Sequence, residues 1–195
     1  MTICEDPACR IWPGFQAKET ENRPQEGRTY VIESWRAGGD YSIMHEAERF
    51  IERKDYPYDD QVLARLTTIL IEKRAEGCKW PLVTRELIEE AARAESLTSE
   101  VRADRFLQYM RTTINGDLLP VPLHKSDVVH SALAHSESTT LEELSQLLKF
   151  LVLQGWIELT KTESPGHEPI FTVEGIKHLG TLDAPACRTL GFDTT

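Results

Sequence analysis

Residues 140–162 read "TLEELSQLLKFLVLQGWIELTKT", a helical period that gives way to strand alternation across a single glycine. Thr140 and Glu143 stand in the S/T-x-x-E relation of a capping box, which satisfies the first backbone donors of a helix. Leu141, Leu144, Leu147, Leu148, Leu151 and Val152 recur at three- and four-residue spacing and predict one apolar stripe. Gly155 supplies the helix stop, and "WIELTKT" starts a strand at once. Beyond it, "ESPGHE" is a turn-rich loop, "PIFTV" a second strand and "EGIKHL" a short helix; upstream, "SDVVHSALAHS" forms another short helix.

Helix, helix, hairpin, helix in this order is the organisation of a winged helix-turn-helix. Before it, "GDLLPVPLH" is a connection in which residues preceding proline favour extended backbone, so a boundary is expected near residue 120. Residues 44–120 read as a helical body. Val62, Leu63, Leu66, Ile69 and Leu70 have helical spacing up to Gly77, "TRELIEEAARAE" follows "WPLV", and Thr98 or Ser99 caps "TSEVRADRFLQYMRTTI". Residues 1–43 hold a hairpin, "TYVIESW" and "GDYSIM" around "RAGG", after a segment rich in Pro, Glu, Gln, Asn and Arg that predicts a flexible loop through residue 28. The expected fold class is therefore α+β and mainly α: a ribbon-like hairpin module (1–43), a helical body (44–120), a winged helix (121–180) and a tail (181–195).

Composition narrows the function classes. The chain has 195 residues, 40% hydrophobic and 28% charged, and a net charge of −10. That field repels nucleic acid unless basic residues are segregated on one face. No apolar run approaches the roughly 18 residues of a membrane span, and the N-terminus lacks the pattern of a signal peptide, so a cytoplasmic location is expected and no membrane association. Cys4, Cys9, Cys78 and Cys187 are too scattered for a disulfide framework.

The hairpin has the look of a metal ribbon without its ligands. Cys4 and Cys9 are spaced C-x4-C, while the positions of a second pair carry Ser34 and Ala37, neither of which replaces a thiolate. No cofactor or metal is expected; Gly38 and Gly39 serve the turn. "HEAER", 45–49, puts Arg49 where a zinc-protease helix needs its second histidine. His124, His130, His135, His167 and His178 lie in the last third of the chain, and His130 and His135, five apart, do not share a helix face; solvated or capping roles suffice for them. No G-x-S-x-G, P-loop or G-x-G-x-x-G occurs, and a non-catalytic protein is expected.

Winged helices commonly place the helix before the wing in the major groove. Here that helix begins with Glu142 and Glu143, and residues 126–180 carry three lysines against eight acidic residues, a balance unsuited to phosphate contacts. Arg102, Arg105 and Arg111 of "RADRFLQYMR" are the alternative nucleic-acid contacts. Phe150, Leu153 and Trp156 lie off the core stripe among polar neighbours and form the candidate interaction surface, for a protein partner or a second copy.

Cys4 with Cys9, "YVIESWRAGGDYSI", "LTSEVRADRFLQYM", and "LEELSQLLKFLVLQGWIEL" with "FTVEGIKHL" together resemble bacterial proteins in which a ribbon-like N-terminal segment, often with cysteine pairs, precedes a helical region and a winged helix. The resemblance covers about residues 4 to 180. It implies a regulatory, sensor or adaptor module in bacterial defence, in some members placed ahead of an effector domain resembling Toll/interleukin-receptor or nucleotide-hydrolase modules. The chain ends at "LGFDTT", which predicts a stand-alone partner or a fragment. The alternative function is a dimeric DNA-binding regulator.

Overall fold

The computed structural model describes residues 9–12, 15, 17–21, 29–52, 59–114, 119–161 and 167–182. They form an α+β, mainly helical fold. Among them no helix is long and apolar enough to cross a membrane.

The first sheet has the order β1-β2-β3-β4, from β1 (Lys18–Glu21), β2 (Thr29–Glu33), β3 (Tyr41–Met44) and β4 (Leu82–Val83). The hairpin around "RAGG" is the antiparallel pair β2 and β3, with Ile32 opposite Tyr41. Between them Trp35–Ala37 wind into one 3-10 turn that Gly38 ends at φ 71. Gly38 is needed twice over: its backbone is left-handed, and a Cβ there would lie 2.6 Å from Ile71 Cγ1. β4 runs parallel to β3, with Ser42 opposite Leu82. A parallel neighbour requires a long crossover, which α1 (His45–Glu52) and α2 (Asp60–Ala75) provide. α3 (Arg85–Arg93), capped by Thr84, then closes the unit against α2.

The loop expected through residue 28 is corrected at two places. Cys9, Ile11, Trp12 and Ala17 are buried in the first core, and Lys18–Glu21 pair with β2. Ile11 and Trp12 supply apolar area that a two-stranded hairpin alone cannot bury, and an edge strand tolerates the polar sequence "KETE". Residues 1–8, with Cys4, lie outside the described residues, as do 183–195 with Cys187.

The second core joins α4 (Ser99–Thr113), α5 (Ser126–His135), α6 (Leu141–Leu153), the hairpin of β5 (Ile157–Lys161) and β6 (His167–Phe171), and α7 (Val173–Leu182). Thr98 and Thr140 cap α4 and α6 through their side chains, and Glu143 reaches back to the Thr139 N–H at 2.9 Å. Phe106, Leu107, Met110, Leu151 and Ile157 are its fully buried centre; truncating one such side chain to alanine costs about 2–5 kcal/mol. The boundary expected near residue 120 therefore moves. Phe106 to Met110 of α4 belong to the second cluster and Leu87 to Ala91 of α3 to the first, so the cores divide between Arg93 and Ser99. The helical pattern runs on through both units, and only three-dimensional packing separates them.

Candidate functional site

The ribbon-like turns face one another through a cysteine and a serine. Cys9 Sγ accepts from the Trp12 N–H at 3.4 Å and from Ser34 Oγ at 3.1 Å, with Tyr41 Oη at 3.5 Å. Ser34 Oγ in turn accepts from the Ala37 N–H at 3.4 Å. Each turn thus closes onto its own i+3 amide, and a direct thiol–hydroxyl bond joins them. Burial, then Cys9, pushes the Tyr41 hydroxyl well above the ordinary tyrosine range. Among the described residues no three His, Cys, Asp or Glu side chains are grouped to hold a metal; Cys78 is exposed and distant in sequence from Cys9.

Arg36 leaves the same turn for the interior. It is 1% exposed, its guanidinium lies 3.6 Å from the centroid of Trp12, and Nη2 donates to the Ser138 carbonyl at 2.7 Å. Burial holds its pKa down, to about 10. Ser138 belongs to the turn between α5 and α6, and the other arginines converge there. Arg102 donates to the Ser136 carbonyl at 2.8 Å and to Ser138 Oγ at 2.9 Å. Arg105 donates to the His135 carbonyl at 3.3 Å and to Glu72 at 2.7 Å. Arg102 and Arg105, the expected nucleic-acid contacts, thus both serve backbone carbonyls that the end of a helix leaves without partners. Arg111, further along α4, is partly buried and is itself engaged.

Glu137, in the middle of this turn, is 3% exposed and has φ 49, the left-handed region that suits glycine or asparagine. Its carboxylate accepts from Thr68 Oγ1 at 2.7 Å and from the Leu97 N–H at 2.9 Å. Gln61 of α2 reaches Glu143 in the first turn of α6 at 3.3 Å. The N-terminal unit so covers the α5–α6 turn from Ser136 to Ser138, while Thr140, Leu141 and Glu142 at the start of α6 stay exposed.

The exposed side of α6 differs from the helical wheel. Leu144, Leu147 and Leu151 are buried, whereas Leu141 and Val152, expected on the core stripe, are 62% and 39% exposed. Of the three side chains expected on an interaction surface, Leu153 is 84% exposed. Phe150 and Trp156 pack against the second core instead. Their rings meet edge to face at 6.3 Å, and Trp156 stacks on His178 of α7 at 3.9 Å. That correction follows from α7, which returns across the face a two-dimensional wheel leaves open. Val173 and Ile176, exposed at the start of α7, add to Leu153 where Thr172 Oγ1 donates to the Gly155 carbonyl at 2.6 Å.

Three histidines pair with carboxylates, while the side chain of His167 lies outside what the structure describes. His178 Nε2 meets Asp104 at 2.6 Å, His124 Nδ1 meets Glu168 at 2.5 Å, and His45 Nδ1 meets Glu48 at 3.3 Å. His135 stacks on Tyr109 at 4.8 Å; burial, then Arg105 and Arg74, lowers its pKa to about 4. No signal in the sequence links these pairs, which are separated by 74 residues for His178 with Asp104 and 44 for His124 with Glu168.

No family model, curated protein or solved structure matches this chain.

Proposed function

We propose that residues 99–182 are a winged helix serving as a docking module, in a cytoplasmic, non-catalytic regulatory, sensor or adaptor protein of bacterial defence that acts by protein association. Supporting the fold reading, α4, α5 and α6 share one core and β5–β6 follows α6 directly. The Val121 N–H, between α4 and α5, also donates to the Pro169 carbonyl at 2.9 Å and extends the hairpin.

The observation that carries the docking reading is Leu153, 84% exposed, with Val152, Val173 and Ile176 also exposed on the adjoining ends of α6 and α7. Burying one such side chain fully contributes about 1.5–3 kcal/mol. Its occupant is a second copy of the chain: exposed Lys149 and Lys177 alternate with Glu174 around these apolar residues, so two copies meet there without the repulsion that a net charge of −10 imposes elsewhere. The regulator reading has less support, because Arg102 and Arg105 are engaged internally and α6 opens with two glutamates.

The test is solution mass by light scattering, with and without random duplex DNA at low and high salt. The proposal expects a salt-insensitive dimer that ignores DNA, and a Leu153→Glu chain that is monomeric with unchanged circular dichroism. A wild-type monomer whose sole association is uptake of duplex at low salt overturns it and favours the regulator.

A further inference from the structure

We infer that the seam between the two hydrophobic cores is built to part as a unit, uncovering the α5–α6 turn while both cores stay folded. Five separate observations lie on this seam. The cores share no residue: one gathers residues 9–91 and the other 103–179, joined by the stretch between Arg93 and Ser99.

Much of what crosses between them is polar. Arg36 to the Ser138 carbonyl, Thr68 to Glu137, Gln61 to Glu143 and Arg105 to Glu72 are the bridging bonds. Apolar contact across the seam comes from Phe15, edge-on to His130 at 4.8 Å, and from the close packing of the Trp35–Ala37 turn and of α2 against α5.

Arg36 and Arg105 bring buried charge to this seam, and each donates across it, to the Ser138 carbonyl at 2.7 Å and to Glu72 at 2.7 Å; a buried charge is held by such partners.

An open surface cleft of about 250 Å3 also runs along the seam between α2 and α4, lined by Ile71, Glu72, Ala75, Tyr109, Thr112 and His135. Finally, Glu137 holds left-handed backbone at φ 49, a conformation that persists where surrounding contacts enforce it and that relaxes when they are released. Local openings of this kind occur in cooperative units below the global stability.

Native-state hydrogen exchange on the full chain tests this. The probes on the seam are the amides of Leu97, which donates to the Glu137 carboxylate at 2.9 Å, and of Ser138, buried and bonded to the Leu133 carbonyl; the core references are Ile43 and Leu107, each 0% exposed. The two seam amides are expected to share one opening, at least ~100-fold more populated than the opening seen at Ile43 and Leu107. Thr68→Val, which keeps the shape and removes the hydroxyl bonded to Glu137, raises seam exchange about tenfold and leaves the references unchanged. Ala75→Leu adds apolar area in the cleft and lowers it. The inference is overturned if Leu97 and Ser138 exchange only with global unfolding, or if both substitutions move all four amides alike.

Discussion

His135 gives the protein a specific loss of stability in mild acid. The imidazole is stacked on Tyr109, and its pKa falls from 6.5 to about 4, by burial first and by Arg105 and Arg74 second. In the unfolded chain the ring takes a proton near its ordinary value; in the folded chain it stays neutral until about pH 4. The unfolded state therefore binds more protons between these values, and stability is complete above about pH 6.5 and falls as the pH drops. A difference of about 2.5 at 1.36 kcal/mol each comes to roughly 3 kcal/mol by pH 4, of which about 2 kcal/mol is gone by pH 5. Urea denaturation followed by circular dichroism, from about pH 7 down to about pH 4.5, measures it against His135→Phe. The variant keeps a ring on Tyr109 and has no proton to bind, while the carboxylates and His130 titrate alike in both chains. The stability difference between them should shift by about 2 kcal/mol in favour of the variant by pH 5. Parallel curves would refute the reasoning.

Further outcomes follow from single contacts. Gly38→Ala forces a Cβ to 2.6 Å from Ile71 Cγ1 in left-handed backbone and should destabilise by about 1–3 kcal/mol in thermal or urea melts. Gly175→Ala puts a Cβ 2.0 Å from the Trp156 carbonyl oxygen; α7 must move, so the fluorescence of Trp156 stacked on His178 should change even though alanine favours helix. Cys9→Ala leaves the Ser34 hydroxyl and the Trp12 N–H without their acceptor, an expected cost of about 1–3 kcal/mol by denaturation. Arg102→Gln should lower stability by about 1–3 kcal/mol, since its nitrogens hold Ser136 and Ser138; a stable variant altered solely in duplex binding would contradict that role.

Local chemistry made much of the fold legible. Thr98 and Thr140 cap α4 and α6 where their hydroxyls predict it, and Gly38 and Gly155 take positive φ at the ends they mark. Those signals depend on neighbours three or four residues away. What sequence could not resolve depends on distant partners. Ile11 and Trp12 look like part of a polar loop until α2 and the sheet give them a core. The two-residue strand β4 is too short to have a period of its own. Arg102 and Arg105 read as nucleic-acid contacts and Arg36 as one more residue of a turn, yet their acceptors lie 34, 30 and 102 residues further on. Phe150 and Trp156 were outward on a wheel that had no α7 in it, so only Leu153 of the candidate surface stays exposed.

The division of the cores also sets an order for synthesis. All the residues of the first core lie at or before Ala91, and all those of the second at or after Ala103. Domains fold as units in the order they leave the ribosome. The N-terminal unit can close around Ile43 and Leu66 while α5 and α6 are still untranslated. The surface that covers the α5–α6 turn is thus finished before the turn exists, and the newborn helix pair meets its cover as a ready-made template.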